Sequence, residues 1–362
     1  MSILVFLAVL GILIVVHEFG HFIMAKRLGV RVERFAIGFG PKLFSLNYDN
    51  TEFAVCLIPL GGYVKMAGDE RPNCKGLAEE FYSKPPGHRA LIVLMGPVVN
   101  YVMAYVCFVI VFVTGYPTLS AKVGELLSGL PAQSAGLEVG DKIIRIGQTP
   151  INSWEEMQRS IMTSKDKVLT FTVVRNGMEI KKTIEPTVKR LENIFGQTED
   201  IRVVGIKPKE EIVILKYGLS QSLVRAAQQL FDITATTYKA LYRIMTGAMS
   251  PKDTMTGPIG IYYIIKQAAT LGISYLLYIM GIISASLAIF NFLPLPILDG
   301  GHLFFLAIEK IRKKALSAKV DEAINRAGLT LILCLAVFIF YSDMVRFGWF
   351  DKIIGLWRNF NP

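Results

Sequence analysis

Charge is scarce in this chain of 362 residues. Asp, Glu, Lys and Arg together make up 19 % of it, against roughly 25 % in an average soluble domain, while apolar residues reach 52 %. That balance argues against a purely soluble protein and against disorder. Cysteine is scarce as well. Cys56, Cys74, Cys107 and Cys334 are scattered and form no C-x-x-C pair, which excludes a disulfide framework and a cysteine-based zinc site. Histidine occurs four times. No Lys or Arg precedes Lys26, so the opening apolar stretch lacks the basic start of a signal peptide and is expected to stay as a membrane helix. The net charge of +10 fits nucleic acid or a membrane surface. The apolar excess selects the lipid bilayer, and no nucleic-acid partner is expected.

What the chain has is four long apolar runs. The first occupies residues 1–25. Leu91–Val113 supplies 23 uncharged residues, Ile273–Phe292 supplies 20, and Ala327–Ser342 supplies 16 that Met344 and Val345 extend. About 20 such residues cross ~30 Å of hydrocarbon. Four transmembrane helices are therefore expected, at 1–25, 91–113, 272–300 and 327–346. Ten Lys and Arg lie from Lys26 to Arg89, and six from Lys310 to Arg326. The positive-inside rule places those connections, 26–90 and 301–326, in the cytoplasm. Both termini and the connection between spans two and three then lie outside. The tail 347–362, with Trp349 and Trp357, reads as an interfacial anchor.

Residues 116–190 change character. Short β-like runs appear at Lys122–Leu126, Lys142–Ile146, Val168–Val174 and Glu179–Ile184, the last two joined through Asn176-Gly177, a strong hairpin signal. Ser153, with Glu156 three residues on, is a capping box for a helix over Ser153–Met162. The phrase from Pro131 to Ile143, PAQSAGLEVGDKI, closely resembles the bacterial PDZ signature. A PDZ domain captures an extended peptide by adding it to a sheet edge. Within 191–271, Leu219, Leu223, Ala226, Leu230, Ile233, Thr237, Leu241 and Ile244 recur at helical spacing. The result is an amphipathic helix that lies on the membrane surface or packs on the PDZ domain.

The first span contains His17-Glu18-Phe19-Gly20-His21. Residues i and i+4 share a helix face, so both imidazoles reach one metal, and Glu18 between them serves as general base. Ionisable groups inside a membrane helix are expensive and mark function. The bland alternative is a His/Glu cluster hydrogen-bonded between helices. A third ligand decides against it. Asp299 lies in Asn291-Phe292-Leu293-Pro294-Leu295-Pro296-Ile297-Leu298-Asp299-Gly300-Gly301, at the cytoplasmic end of span three, the same depth as His17 and His21. Pro294 and Pro296 break the helix there, as suits a site at membrane depth. His302 is a candidate fourth ligand, with a supporting role preferred because a catalytic zinc keeps one position for water, and His88 is expected to be solvated. Asn100 and Asn291 are polar residues in or at the end of spans, each a candidate oxyanion donor or substrate clamp, or an interhelical hydrogen bond.

These motifs together resemble the site-2 protease family of intramembrane zinc metalloproteases, nearest the bacterial regulator of sigma-E protease subgroup in a single-PDZ form. Gly38-Phe39-Gly40-Pro41, Pro59–Met66, Gly96-Pro97-Val98-Val99-Asn100 and Thr256-Gly257-Pro258-Ile259-Gly260 add to the match. The resemblance implies a polytopic α-helical membrane protein of the bacterial inner membrane with a membrane re-entrant β-hairpin segment and an extracytoplasmic PDZ domain. It also implies one Zn2+ per chain on His17, His21 and Asp299, with Glu18 catalytic. The substrate implied is the transmembrane helix of a pre-cleaved protein, an anti-sigma factor or a signal-peptide remnant. Lys42–Tyr48 and Thr51–Ile58 around Asp49-Asn50, beside the glycine-rich Phe35–Pro41, map onto the re-entrant loop. One strand there is expected to pair with unwound substrate, whose freed backbone groups need partners. Gly38, Gly40, Pro294 and Pro296 therefore join Asn100 and Asn291 as substrate-binding candidates. The best-known members carry two tandem PDZ domains, whereas one is legible here.

Two rivals remain at this level. A membrane PDZ adaptor with an inactive metal site is disfavoured by the intact His17, Glu18, His21 and Asp299. A transporter predicts inverted repeats, which the sequence lacks.

Overall fold

The structure is a computed structural model that describes residues 2–192, 198–251, 255–314 and 318–349. The chain opens with helix α1 (Ser2–Arg27), strands β1 (Val32–Tyr48) and β2 (Thr51–Met66), and helix α2 (Pro86–Thr114). A run of short elements follows: β3 (Tyr116–Leu119), β4 (Val123–Leu126), α3 (Pro131–Ser134), β5 (Lys142–Ile146), β6 (Thr149–Pro150), α4 (Trp154–Thr163), β7 (Leu169–Arg175) and β8 (Met178–Ile184). Next come β9 (Thr187–Glu192), β10 (Thr198–Val203), β11 (Ile206–Pro208) and β12 (Ile212–Leu215). The chain continues through α5 (Leu219–Met245), α6 (Pro258–Leu271), α7 (Ile273–Asn291), α8 (Asp299–Arg312) and α9 (Ala318–Arg346). Two compact units result. One draws on Met1–Ile110, Leu223–Leu241 and the chain from Thr254 onward, the other on Val111–Ser222 and Tyr242–Asp253.

Among the described residues four helices are long and apolar enough to cross a bilayer: α1, α2, α7 and α9 from Glu322. They coincide with the four apolar runs, with shifted ends. The third stops at Asn291 rather than 300, because Pro294 and Pro296 cannot donate to a continuing helix. Residues 299–312, expected as the end of the third span and the start of the loop 301–326, form α8, whose Leu303 and Leu306 pack with Ala25, Ile92 and Val93. The sequence reading left α6 unforeseen. Its 14 residues reach about 21 Å, too short to span, and Ile265 and Ala268 bury against Val9, Leu13 and Ile279. Most of the proposed interfacial tail, including Trp357, lies outside the described residues.

The expected hairpin is present and does more than pair with itself. Asp49 and Asn50 both take positive φ, 47° and 56°, as a two-residue hairpin turn requires, and Tyr48 pairs with Thr51. Further along, Phe35 pairs with both Phe53 and Val64, and Ala36 with both Ala54 and Tyr63. Each long strand thus bends and serves twice, which makes a four-stranded mixed sheet in the order 62–66, 32–37, 51–56, 42–48, with 32–37 and 51–56 side by side in parallel and the two outer pairs antiparallel. Gly38 and Gly40 sit at the bend of β1 with φ of 87° and 88°. A Cβ on Gly38 would stand 2.5 Å from the Ile58 carbonyl oxygen, so glycine is obligatory there. The outer strand 42–48 exposes Leu43, Phe44, Leu46 and Tyr48.

The second unit builds its own core. Sheet β6-β5-β7-β8 packs Ile143, Ile146, Phe171, Val173 and Ile184 against Trp154, Met157 and Ile161 of α4. Side chains of this size contribute about 1.5–3 kcal/mol each on full burial. Ser153 Oγ accepts the Glu156 N–H at 3.1 Å, while Glu156 reaches back to the N–H of Asn152 at 2.9 Å, the reciprocal cap that the sequence signalled. The expected boundary at 190 falls short. β11 pairs with β4 and β12 with β3, and Val204 joins the core, so the unit returns through residue 215 to close on its own beginning. Helix α5 then packs on the membrane helices. Tyr101 and Thr234 share a hydrogen bond of 2.8 Å, Tyr105 donates to the Leu223 carbonyl at 3.2 Å, and Gln229 donates to Tyr278 at 3.1 Å.

Candidate metal centre

Two helices, α1 and α8, deliver the three expected ligands to one point. Helical spacing puts His17 and His21 on one face of α1. Two glycines let that face approach α2: a Cβ on Gly20 would stand 2.3 Å from the Met95 carbonyl oxygen, and one on Gly96 would stand 2.2 Å from His21 Nε2. Asp299 is the first residue of α8. The loop before it folds tightly, with Leu295 N–H on Leu293 O at 2.7 Å and Leu298 N–H on Leu295 O at 3.2 Å. Ile297 is held at φ 76°, a left-handed conformation that a β-branched residue adopts only under constraint. A Cβ on Gly301 would meet the Leu295 carbonyl oxygen at 2.1 Å, so the glycine pair after Asp299 lets α8 sit directly on this loop.

The geometry suits a tetrahedral cation. His17 Nε2 lies 3.1 Å and His21 Nε2 3.6 Å from Asp299 Oδ2, and the two Nε2 atoms are 3.3 Å apart. Tetrahedral ligands bonded at ~2.0–2.1 Å to zinc stand about 3.3 Å from one another. Asp299 Oδ2 is buried with no hydrogen-bond donor on it, an arrangement that is costly unless a cation is bound. The donor set, two imidazoles and one carboxylate, fits zinc and leaves one position open. When bound there, zinc supplies a Lewis acid and lowers the pKa of a water to about 7.

The surroundings orient these ligands. His21 donates Nδ1–H to the Ile92 carbonyl at 2.9 Å, which leaves Nε2 as the ligating atom. Asn100 faces the other ring, with Nδ2 3.4 Å from His17 Nδ1. Glu18 is half-buried beneath the edge of the β-sheet, where a Cβ on Gly62 would come within 3.3 Å of its Cγ. Gly62 and Gly96 thus shape the site by having no side chain, and the Ile92 carbonyl supports it from the main chain. The glycines stood inside recognisable motifs, but no sequence signal showed what they touch. Gly38 and Gly40 lie at the bend of β1, against Ile58 of β2. Asn291 ends α7, and Pro296 packs against α9, where a Cβ on Gly328 would meet it at 2.4 Å. His302 and His88 are exposed.

Two histidines and a glutamate on α1, brought together with an aspartate of α8, are the donor set and base that a metal-dependent hydrolase uses. The model of peptidase family M50 matches residues 5–335, and the chain belongs to that family. It is 30 % identical to Regulator of sigma-E protease RseP of Escherichia coli, over 94 % of this chain and 98 % of that one. It is 31 % identical to Metalloprotease MmpA of Caulobacter vibrioides, over 97 % of each, and 29 % to Zinc metalloprotease RasP of Geobacillus kaustophilus, over 96 % and 98 %. The alignments with RseP and RasP run over 448 and 427 residues, so both contain insertions that this chain lacks. The solved PDZ domain of an SdrC-like protein from Listeria monocytogenes matches 26 % of this chain and 88 % of its own, with a TM-score of 0.21 and 17 % identity. The protein is an intramembrane zinc metalloendopeptidase.

Proposed function

We propose that this enzyme cleaves a peptide bond within the transmembrane helix of a membrane protein already trimmed by another protease, in regulated intramembrane proteolysis. The substrate class is an anti-sigma-factor-like protein or a remnant signal peptide, and the similarity to the E. coli Regulator of sigma-E protease supports the former. His17, His21 and Asp299 hold one zinc per chain. Glu18 takes a proton from the attacking water and returns it to the leaving amine. The carrying observation is the set of three ligand atoms separated by 3.1, 3.3 and 3.6 Å.

A helical peptide bond is shielded by its own hydrogen bonds, so the substrate unwinds before cleavage and its backbone groups need new partners. The sheet of β1 and β2 supplies them: its edge strand 62–66 passes Glu18. Gly38, Gly40, Asn291, Pro294 and Pro296 shape the channel. The second unit acts as a PDZ domain. Its apolar cleft of about 420 Å³ between α4 and residues 203–206, lined by Leu130, Trp154, Met157 and Ile161, receives an extended peptide. The excess of Lys and Arg in the connections 26–90 and 301–326 supports a topology in which these face the cytoplasm and the PDZ segment and both termini face the outside of the inner membrane.

The test is turnover of a model transmembrane substrate by purified wild type and Glu18→Gln. Wild type should cleave in a chelator-sensitive way. Glu18→Gln should retain zinc and lose about 10²–10⁴-fold in rate. Equal, chelator-insensitive cleavage by both would refute the assignment.

A further inference from the structure

The two imidazoles are held from behind by partners of different kinds. His21 meets the Ile92 carbonyl, which only accepts, so its Nε2 has to bear the lone pair. His17 meets the Asn100 amide, which can donate from one end and accept at the other. Asn100 is 1 % exposed. Its Nδ2 stands 3.4 Å from His17 Nδ1, and its Oδ1 is buried without a hydrogen-bond partner. A neutral imidazole carries one N–H. If the amide donates to Nδ1, the ring proton sits on Nε2 and points at Asp299, and that nitrogen is no ligand. A half-turn of the amide exchanges two ends of nearly equal shape. Oδ1 then accepts Nδ1–H, the orphaned oxygen gains a donor, and Nε2 is free for a metal.

We propose that Asn100 is the positioning residue of His17: with metal bound, its Oδ1 accepts the His17 Nδ1–H and so fixes the tautomer that presents Nε2 beside Asp299. The backbone around it is built to hold that amide still. The Asn100 carbonyl accepts the Ser284 hydroxyl of α7 at 2.8 Å, and Ser284 is fully buried. Gly96, one helical turn earlier on α2, clears the space in which both rings lie. The pair Gly96 and Asn100 on α2 therefore repeats the i, i+4 spacing of His17 and His21 on α1. The inference rests on reading His17, His21 and Asp299 as the metal ligands.

The experiment measures zinc affinity of the full-length protein by competition with a chelator. Asn100→Leu removes the acceptor, Asn100→Ala removes it with less bulk should the leucine variant not fold, and Asn100→Asp keeps an acceptor of the same shape. Outer hydrogen-bond partners of metal-binding histidines typically support 10–100-fold in affinity. Asn100→Leu and Asn100→Ala should lose that much, with unchanged melting of the metal-free protein, and Asn100→Asp should bind at least as tightly as wild type. Wild-type affinity in the leucine and alanine variants would overturn the inference. So would an aspartate variant as weak as they are, since it would make the NH2 the working end. A wild-type protein that binds no zinc would instead overturn the metal centre, and this role with it.

Discussion

Gly96 of α2 and His21 of α1 are in such close apposition that no side chain fits between them. A Cβ on Gly96 would stand 2.2 Å from His21 Nε2 and 2.9 Å from His17 Cε1. Neither ring has freedom to retreat, because His21 is tied to Ile92 and His17 is backed by Asn100. Glycine to alanine in a helix ordinarily stabilises by about 0.5–1 kcal/mol. Gly96→Ala should do the opposite at the site and cut zinc retention at least tenfold. Gly11→Ala, where a Cβ meets nothing within 4 Å, is the matched control and should keep its metal. Zinc content after dialysis against a weak chelator reads the difference, and full retention by Gly96→Ala would show that the rings yield.

The parts of this architecture written in local pattern were legible from the sequence. Four apolar runs gave the four long helices. The i, i+4 histidines gave one face of α1, Asp49-Asn50 and Asn176-Gly177 gave two turns, and Ser153 with Glu156 gave a cap. Asp299 was legible because two prolines and two glycines mark a broken helix. What was not legible depends on partners distant in the chain. Alternation in β1 and β2 shows two strands but not that Phe35 pairs twice. Strands β11 and β12 are three and four residues long, too short for periodicity to separate them from a linker. Helix α6 lies inside the segment 191–271, which reads as an amphipathic helical linker, and its separate start is set by Asp343, which is distant in the chain. Gly96 is a helix glycine like any other until its neighbours are known.

Asp343 shows how α6 is held. It is 1 % exposed on α9, and its carboxylate accepts the N–H groups of Gly257 at 3.2 Å and Gly260 at 2.9 Å. Those are the cap and third positions of α6, whose orphaned donors a helix cannot satisfy itself. The cap comes from another helix because Gly257 has no side chain to offer, and a Cβ there would stand 2.7 Å from Asp343 Oδ2. Asp343→Leu strands both donors and removes a favourable charge at a helix N-terminus. It should cost about 1–3 kcal/mol, with Asp343→Asn in between. Melting of the detergent-solubilised protein measures this, and an unshifted transition in Asp343→Leu would count against the cap.

Glu309 plays a comparable part at the other end of α8 from Asp299. Its Oε1 accepts Arg89 Nη2 at 2.5 Å and its Oε2 accepts Arg71 Nη2 at 3.1 Å. Burial pushes its carboxyl pKa up, but the Arg89 contact, aided by Arg71, outweighs that and holds it below the usual carboxylate value. The Arg89 side chain is only 4 % exposed, so breaking the pair leaves a buried guanidinium uncompensated, at roughly 3–5 kcal/mol. Glu309→Leu should therefore destabilise more than the double variant Arg89→Leu/Glu309→Leu. A double variant as costly as the sum of its two single changes would mean that the charges are not coupled.

Asp141 makes the second unit pH-sensitive in a defined direction. It is 1 % exposed and accepts Arg175 Nε and Nη2 at 2.8 Å each and the Glu138 N–H at 3.0 Å. Burial raises its carboxyl pKa, yet the Arg175 fork with the Glu138 N–H overcomes this and leaves it below the ordinary value. The folded state thus binds this proton more weakly than the unfolded chain. The stabilisation is complete above the unfolded pKa of about 3.9 and disappears as pH falls from there through the folded one. Asp141→Asn should cost about 1.5–3 kcal/mol at pH 7 and progressively less below about pH 4. Trp154 lies in this core, so its fluorescence, with Trp349 and Trp357 replaced by Phe, follows unfolding of the unit in the full-length protein. A cost for Asp141→Asn that stays constant between pH 7 and pH 3 would assign the stabilisation to shape instead of charge, because only the ionised carboxylate attracts Arg175.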